Sequence, residues 1–453
     1  MVTTLLAGLA LSGCSVEKAA ELTILGSWTN PEDEEFRQVL KGFEKESHIK
    51  TRYEGHRDVS QVLQAGIERG RPPDVAILPR VNDLQRYVNA GQLVPLKDEL
   101  TGDEAAAPQL IKLAPRAEPD GRPTAGDAAY GVAMATHLKS VVWYDPAELT
   151  KFGLQPPRTW QELVGHTQRK IGDQQVRWCL AMSSQPVSGW PGTDWIEDIL
   201  LHQSGQEDYE KWTRGDLGWT SDQVKAAWTT WGELLKVSSP GTDQASLYTT
   251  FQTAAKGLFP RQTSVDGKPA ESSAARGCHL DHQGSFAIRE YLKQLPKLPT
   301  PTPGASPSFT FFPTPPPAGE PANSSLQEVS DDVAAMFRNT EPAQQLMKYL
   351  AGEGAQHARR EQSQEVAFSR RATPPEKYHD PVTKAVAQRL RTGTLCWDGS
   401  DLLPAAIATA FERAVMVYLK ARNRLDSLLT ELEALRNTVP RSEWMNLRCV
   451  AAR

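Results

Sequence analysis

The sequence lacks an excess of charge of either sign. It contains 50 Lys and Arg residues against 55 Asp and Glu residues, so its formal net charge is −5 over 453 residues. A nucleic-acid-binding surface usually carries a basic excess, so no nucleic-acid partner is expected. The hydrophobic fraction of 39% and the charged fraction of 23% are ordinary for a globular protein. The length exceeds what one compact core usually holds, which predicts two domains.

Common catalytic and metal-binding motifs are also missing. The chain has no G-x-S-x-G, no H-E-x-x-H and no G-x-x-x-x-G-K-[ST]. The cluster His279-Leu280-Asp281-His282 follows Cys278, but two histidines without further ligands favour surface or supporting roles over a metal site. Paired acids such as Asp331-Asp332, or Asp398 with Asp401, could serve a glycosidase, but such pairs are common in any sequence. We therefore expect no enzyme, no metal and no cofactor.

No apolar run reaches the roughly 20 residues of a membrane-spanning helix. The start, "MVTTLLAGLALSGC" (1–14), is short and apolar and becomes polar directly after Cys14. Its length suits the hydrophobic region of a secretory signal, although residues 1–13 contain no Lys or Arg. A buried N-terminal helix is the alternative. The segment predicts that the protein is exported.

Cysteine is scarce, and its spacing excludes zinc motifs. After Cys14, the remaining cysteines are Cys179, Cys278, Cys396 and Cys449. In an oxidising compartment these four can form two disulfides, and three pairings are possible. We favour Cys179 with Cys278 and Cys396 with Cys449; unpaired buried thiols are the alternative.

From residue 22 onward, the sequence alternates between strand and helix patterns. Strands are predicted at "LTILG" (22–26), "IKTRYEG" (49–55) and "PPDVAILP" (72–79), with helical spacing between them. This β-α-β-α-β order implies a parallel sheet, whose ligands bind outside the carboxyl ends of the strands.

The middle of the chain predicts crossings between two domains. "YGVAMATHLKSVVWYD" (130–145) reads as one long strand that crosses into a second domain. Residues 296–322 are proline-rich, broken only by "FTFF" (309–312), and read as an irregular return crossing. The last part of the chain is predicted to be mainly helical, at 333–337, 342–350, 382–390 and 405–435.

Tryptophan is concentrated in one region, because seven of the 12 tryptophans lie between 178 and 231. In "SGWPGTDWIEDILL" (188–201), Asp194 and Glu197 form a capping pattern that predicts a helix beginning there. Trp190 would then lie on the preceding loop, where an accessible indole suits the C–H face of a sugar ring. Trp195 suits either the core or a ligand contact.

Several segments, taken in order, carry a resemblance to a known family. They are "LSGC" (11–14), "FEKES" (43–47), "PPDVAIL" (72–78), "AGQLVPL" (90–96), "YGVAMATHLKSVVWYD" (130–145), "PPRTW" (156–160), "WCLAMSS" (178–184), "SGWPGTDWIEDILL" (188–201), "CHLDHQGSF" (278–286), "EPAQQLMKYLA" (341–351) and "DGSDLLP" (398–404). The chain resembles the substrate-binding lipoproteins of bacterial carbohydrate ABC importers, most closely their α-glucoside-binding branch. "SGWPGTDWIED" and "DGSDLLP" are typical of that branch.

The resemblance implies an α/β fold of the two-lobed, type II periplasmic-binding-protein kind, each lobe a sheet flanked by helices, with a ligand cleft between. Residues 1–14 would be a lipoprotein signal with Cys14 as the lipidation site. Lobe 1 would comprise 20–130 plus 312–366, and lobe 2 would comprise 131–311 plus 367–453.

The resemblance also implies the ligand-binding residues. Positions that match family motifs are Trp28, Lys139, Ser188, Gly189, Trp190, Asp194 and Gln283, with Trp195 beside them. A second set is chosen for its places at strand ends or after crossings: Glu54, Asp58, Arg80, Asp331 and Arg370. The chain departs from the family at Ser330-Asp331-Asp332, where a Gly-Asp pair is usual, and at "SRRATPP" (369–375), which replaces a stretch richer in glycine.

The function implied is capture of an extracellular oligosaccharide, such as an α-linked disaccharide, by a monomeric binding protein. The protein would be lipid-anchored to the outer face of the bacterial cytoplasmic membrane and would deliver the sugar to a permease driven by a separate ATPase. A secreted glycoside hydrolase, or a sugar-sensing protein without a transport role, are the alternatives.

Overall fold

The structure is a computed structural model, and it describes most of the chain after residue 20. The described residues are 21–97, 100, 109–113, 128–172, 174–184, 188–238, 242–259, 264–265, 268–269, 277–295, 308–319, 321–363, 366–370 and 374–451. The predicted signal with Cys14, and residues 296–307 of the proline-rich stretch, lie outside these ranges.

The described residues form sixteen α-helices and fifteen strands, together with several short 3-10 helices. The helices are α1 Glu32–Ser47, α2 Val59–Glu68, α3 Val81–Asn89, α4 Pro146–Lys151, α5 Trp160–Gln168, α6 Trp190–Thr213, α7 Asp222–Ser238, α8 Thr242–Ser246, α9 Phe251–Ala255, α10 Ile288–Leu292, α11 Glu341–Ala351, α12 Glu353–Gln362, α13 Pro381–Thr392, α14 Gly399–Leu402, α15 Ala405–Lys420 and α16 Leu425–Arg436. The strands are β1 Leu22–Gly26, β2 Thr51–Gly55, β3 Val75–Leu78, β4 Leu110–Leu113, β5 Ala128–Leu138, β6 Val141–Tyr144, β7 Lys170–Ile171, β8 Gln174–Gln175, β9 Ser264–Val265, β10 Lys268–Pro269, β11 Leu280–His282, β12 Thr310–Pro313, β13 Leu326–Met336, β14 Thr394–Trp397 and β15 Val450–Ala451.

The N-terminal β-α-β-α-β prediction is confirmed. Strand β1 pairs in parallel with β2 on one side and with β3 on the other. The apolar residues of α1, such as Phe36, Val39 and Phe43, are buried against one face of this sheet, while α2 and α3 cover the other face. The carboxyl ends of the three strands therefore lie together at one edge of the sheet.

Two long strands carry the chain between the two halves of the molecule, and we call β5 and β13 the crossing strands. They run antiparallel to each other along most of their length. The second half of β13 pairs with β3, whereas its first four residues, 326–329, pair with β14. The same edge of β13 thus pairs first with a strand of one half of the molecule and then with a strand of the other half.

The predicted single strand over 130–145 is two strands. Strand β5 ends at Leu138, and β6 begins at Val141 in a separate three-stranded sheet with β11 and β12. At the break, the Lys139 N–H donates to the Glu328 carbonyl at 2.8 Å. The chain therefore does cross, as predicted, but it does so through a sharp turn at Lys139-Ser140.

Two other predicted elements differ from those in the structure. Residues 333–337 are not helical, because 333–336 form the buried end of crossing strand β13. The "FTFF" segment is not irregular either, because β12 pairs with β6 from Thr310 to Pro313. The predicted helices over 342–350 and 382–390 are confirmed by α11 and α13, and the span 405–435 is divided into α15 and α16.

The tryptophan-rich region packs mainly in the core of the second half. Trp212, Trp219, Trp228 and Trp231 are fully buried between α6, α7 and α15. Their ring contacts with Phe411 and with one another are mostly edge-to-face, the arrangement that aromatic rings prefer.

Both favoured disulfides are present. Cys179 pairs with Cys278, and Cys396 pairs with Cys449. The first joins the segment before α6 to the start of β11, and the second joins β14 to the C-terminal strand β15. Within the described ranges, none of the helices is both long and apolar enough to cross a membrane.

Candidate functional site

The candidate site is centred on Lys139, at the break between the first crossing strand and β6. This side chain is buried, with an exposed fraction of 6%. Its Nζ donates to Asp194 Oδ2 at 2.6 Å and lies 3.0 Å from Asp398 Oδ2. Asp194 lies near the beginning of α6, and Asp398 caps α14 by accepting the Asp401 N–H. Three distant parts of the chain therefore meet at one ammonium group.

Aromatic rings cover this ammonium group. Lys139 Nζ lies 5.2 Å from the centroid of the Trp190 ring and 5.8 Å from that of Phe286. The two rings are 5.7 Å apart, and Phe251 packs edge-on against both. Trp190 is only partly buried. We call Lys139, Asp194, Asp398, Trp190 and Phe286 the Lys139 cluster.

The charges of the cluster stabilise one another. Burial alone would lower the pKa of Lys139, but the carboxylates of Asp194 and Asp398 raise it well above its usual value. Burial raises the pKa of Asp194 to about 6, against the opposing effect of Lys139. Lys139 is therefore a fixed cation at neutral pH, and it holds both carboxylate groups in place.

The structure corrects the prediction for the start of α6. The helix begins at Trp190 rather than at Asp194, so Trp190 lies in its first turn and not on a loop. Asp194 and Glu197 do not cap it: Asp194 contacts Lys139, and Glu197 accepts the Ser400 N–H at 3.0 Å. The capping pattern was misleading because both acids are used in long-range contacts.

Gly189 directs the chain into this helix. Its φ of 109° lies in the left-handed region that favours glycine, and a Cβ there would lie 2.4 Å from the Glu412 carbonyl oxygen. Glu412, on α15, accepts from Arg80 Nη2 at 2.6 Å. Arg80 follows β3, so this ion pair joins the carboxyl edge of the first sheet to the second half of the molecule.

Trp28 approaches the cluster from the first half of the molecule. Its Nε1 donates to Asp332 Oδ2 at 3.1 Å, and His137 Nε2 lies 3.2 Å from the same oxygen. The His137 ring is 5.6 Å from Phe286, which belongs to the Lys139 cluster. Trp28 has an exposed fraction of 5%, because it packs edge-on against Phe36 in the core of the first half.

Arg370 and Gln283 carry polar atoms available for a ligand. Arg370 Nε donates to Asp331, and its guanidinium lies 3.9 Å over the Trp397 ring, yet Nη2 has no hydrogen-bond partner among the described residues. Gln283 holds the Trp143 indole N–H through its carbonyl, whereas its side-chain Oε1 is buried and likewise unpartnered within the described ranges. Buried polar atoms normally have partners, which makes these two candidates for ligand contact.

Four predicted residues do not belong to the candidate site formed by the Lys139 cluster and the residues described around it. Trp195 is a packing residue, because it stacks on His282 at 4.2 Å and meets Trp178 edge-on, with an exposed fraction of 3%. Ser188 accepts the Ser184 N–H and so shapes the turn before α6.

The other two predicted residues, Glu54 and Asp58, lie on strand β2 and at the start of helix α2, away from the Lys139 cluster. Glu54 is exposed on edge strand β2, pairs with Arg52 and lines a separate cavity of about 550 Å³ under α2. Asp58 is the N-cap of α2 without a side-chain capping bond.

The histidine cluster is internal rather than on the surface. His282 Nε2 lies 2.8 Å from Asp198 Oδ2, and Ser140 Oγ donates to Asp198 Oδ1 at 2.6 Å. Burial would raise the pKa of Asp198, but His202 and His282 hold it well below its usual value. This network fixes the turn at Ser140 and thereby the position of Lys139.

Sequence reasoning missed four residues of the candidate site: Asp398, Phe286, Asp332 and His137. Asp398 and Phe286 lie in "DGSDLLP" and "CHLDHQGSF", so the family motifs already contained them. Asp332 and Asp398 each belong to an acid pair that the sequence does not distinguish from any other, and Asp332 also lies where the chain departs from the family pattern. No signal in the sequence distinguished His137.

Comparison with known proteins gives three kinds of match. The model of a family described as bacterial extracellular solute-binding protein matches residues 27–357. The osmoprotective compounds-binding protein GgtB of Synechocystis sp. is 30% identical over 403 residues, covering 87% of this chain and 87% of that protein. The alpha-glucosides-binding periplasmic protein AglE of Rhizobium meliloti is 26% identical over 416 residues, covering 90% and 85%.

Solved structures show the same fold. The bacterial solute receptor AcbH, described as preferring β-D-galactopyranose, aligns with a TM-score of 0.70 at 17% identity, covering 92% of this chain and 98% of that one. At this identity the likeness concerns the fold alone.

Proposed function

We propose, on the premise that this chain belongs to the bacterial extracellular solute-binding proteins, that it captures an oligosaccharide and delivers it to an ABC importer. Its fold is the expected two-lobed, type II periplasmic-binding-protein fold. As a member of this family it is a binding protein and not an enzyme.

The observation that carries the proposal is the Lys139 cluster. A buried ammonium fixed between Asp194 and Asp398 offers polar groups in a set geometry, and the ring of Trp190 adds an apolar surface beside them. Sugars combine apolar C–H faces with directional hydroxyls, so this pairing of indole and charge suits them. The unpartnered atoms of Arg370 and Gln283 would receive further hydroxyls.

Closure of the two halves explains how binding would be signalled. Contacts such as Arg80 with Glu412, and Arg289 with Glu35, join elements of the two halves. A ligand that touches both halves makes more contacts in the closed state and so favours it. Trp28 would contribute from one half and Trp190 from the other, and the closed form would then dock on the permease.

The ligand class is proposed to be an α-glucoside. The support is the α-glucoside-binding name of the relative AglE and the presence of "SGWPGTDWIED" and "DGSDLLP" in this chain. We further propose that lobe 1 comprises 20–130 plus 312–366 and lobe 2 comprises 131–311 plus 367–453. Export, lipidation at Cys14, a monomeric state and a separate ATPase partner complete the proposal.

The test is titration calorimetry of the full-length exported protein against maltose, trehalose, sucrose and cellobiose. We expect saturable heat with one molecule of an α-linked sugar and a thermal midpoint that rises with its concentration. Heat only with the β-linked disaccharide would overturn the α-glucoside assignment. No heat with any saccharide of a broad panel would overturn the proposed function.

A product assay separates this function from the hydrolase alternative. Overnight incubation with the bound sugar, followed by chromatography, is expected to return the sugar unchanged. Release of glucose would contradict the proposal. A deletion strain that still imports the sugar would favour the sensing alternative.

A further inference from the structure

Three buried carboxylates lie next to the Lys139 cluster. Glu197 on α6, Glu328 on crossing strand β13 and Asp398 before α14 each offer an oxygen, and these oxygens lie within 4.8 Å of one another. The exposed fractions of Glu197 and Glu328 are 0%, and that of Asp398 is 2%. We call these three residues the acid trio. Three elements that are remote in sequence thus direct carboxylates to one point.

Two members of the trio have oxygens without partners. Both carboxylate oxygens of Glu328 lack a hydrogen-bond partner among the described residues, and so does Glu197 Oε1. The other Glu197 oxygen accepts the Ser400 N–H. Buried carboxylates are normally paired or bound to a metal, so a fully buried Glu328 without any donor indicates that a group is required there.

The protein's own cations do not meet this requirement. Within the described ranges, the cation in ion-pair contact with the trio is Lys139, which reaches Asp398 at 3.0 Å. Lys139 is shared with Asp194 at 2.6 Å, so it already faces two carboxylates. Glu197 and Glu328 therefore have no cation partner in the described part of the chain.

We propose that the acid trio binds a hard divalent cation, Ca²⁺. The ligand atoms are all carboxylate oxygens, which suit Ca²⁺ and Mg²⁺, and no nitrogen or sulfur ligand belongs to the trio. Ca²⁺ tolerates irregular oxygen geometry, whereas Mg²⁺ demands a near-ideal octahedron and keeps several waters. Glu328, Glu197 and Asp398 would each supply at least one oxygen, and water would complete the coordination.

The cation would act on both stability and the sugar site. It would join α6, a crossing strand and the start of α14 by direct ligation. The cation would also bind Asp398, whose carboxylate forms an ion pair with Lys139. Cation binding and sugar binding would therefore be linked through that carboxylate. The rival occupant is a proton on Glu197 and on Glu328, because burial raises the pKa of each carboxyl group.

The test uses the full-length protein stripped with EDTA and titrated with CaCl₂, and separately with MgCl₂, by calorimetry. We expect one Ca²⁺ site, a thermal midpoint that rises with Ca²⁺ concentration, and weaker binding of Mg²⁺. Glu328→Gln keeps the shape but removes the charge, and it should weaken Ca²⁺ binding at least about tenfold, because ligand charge tunes affinity. Asp281→Asn is the matched control, since Asp281 is equally buried but outside the trio, and it should bind Ca²⁺ like the wild type.

Two results would overturn the inference. One is no heat and no shift of the wild-type midpoint with either metal up to about 10 mM, above the range of weak extracellular calcium modules, together with no metal in elemental analysis of the untreated protein. That outcome would assign protons to the acid trio. The other is unchanged Ca²⁺ affinity in Glu328→Gln, or in Glu197→Gln should the first variant fail to fold. Sugar binding measured in EDTA tests the proposed function separately.

Discussion

At the scale of single residues, the position of a tryptophan on the backbone decides whether its ring packs in the core or lies at the candidate site. Trp190 and Trp195 lie in the same helix, yet Trp195 stacks on His282 in the core while Trp190 lies over Lys139. The difference follows from the left-handed turn at Gly189, which places the first residue of α6 toward the crossing strands.

Replacing Trp190 with alanine is therefore expected to weaken sugar binding. Loss of the stacking surface should raise the Kd at least about tenfold, roughly 1.4 kcal/mol, while leaving the fold intact because Trp190 is only partly buried. Calorimetry measures the change. Trp444→Ala is the control, since that ring packs near Gly215 at the C-terminal end and should leave affinity unchanged. Equal affinity of Trp190→Ala and wild type would remove Trp190 from the site.

A second residue-scale prediction concerns pH. Burial raises the pKa of Asp281 from its usual 3.8 to about 7, against the opposing hydrogen bond from Tyr291. The unfolded chain loses its proton near pH 4 and the folded protein only near pH 7, so stability falls as the pH rises between these values. The loss totals about 4 kcal/mol.

Asp281→Asn removes this penalty. Its advantage over the wild type in unfolding free energy should be absent near pH 4, grow through pH 5 and 6, and level off above pH 7. Urea denaturation at each pH measures the difference. A difference that stays constant with pH would show that Asp281 is not protonated in the folded protein.

At the scale of elements, the sequence predicted those whose pattern is local and failed where distant contacts decide. The start of α5 depends on a local pattern, because Thr159 caps it by accepting the N–H of Glu162, three residues further on. The apolar run at 333–337 predicts a helix no better than a strand, since a short apolar run fits either structure. It is a strand because β3 and β5 flank it on both sides, which no local pattern reveals.

The same limit applies to the candidate site. Family motifs brought Lys139, Trp190 and Asp194 to attention, and the structure brings these three together. Asp398 could not be linked to Lys139 from spacing, because only the fold joins β14 to the crossing strands. The sequence does not distinguish a core role from a ligand contact for Trp195, because its stacking partner His282 comes from another part of the chain.

The disulfides make an element-scale prediction. Cys179 and Cys278 are 99 residues apart in sequence, and Cys396 and Cys449 are 53 apart. Each bond restricts the unfolded chain, so removing either one should lower the free energy of unfolding by about 4 to 5 kcal/mol, with little difference between them because the dependence on loop length is logarithmic. Paired Cys→Ser variants, unfolded in urea, measure each contribution. Addition of dithiothreitol should destabilise the wild type and leave the variant lacking both bonds unchanged.

At the scale of the whole molecule, the proposed closure would depend on contacts between elements of the two halves. Arg289 on α10 donates to Glu35 on α1, with Nη2 to Oε2 at 2.6 Å. Both side chains are about one-fifth exposed, so the pair is only partly screened by solvent.

Glu35→Gln is expected to lower sugar affinity by a few-fold, because the ion pair contributes about 1 kcal/mol or less and does so only in the closed state. Small-angle X-ray scattering should show that saturating sugar reduces the radius of gyration of both proteins, with the variant needing more sugar to reach the same value. Glu34→Gln, at an exposed neighbouring position, should behave like the wild type. An unchanged radius on sugar addition would contradict the closure mechanism.

The interior position of β13 has a consequence for biosynthesis. This strand lies between β3 and β5 in the large sheet, yet it is made more than 240 residues after β3. The N-terminal sheet cannot be completed until Met336 has left the ribosome, so a nascent chain stays without a finished core during most of its translation. A polypeptide that folds so late remains unfolded during most of its synthesis, and an unfolded chain is the state that a translocation channel accepts.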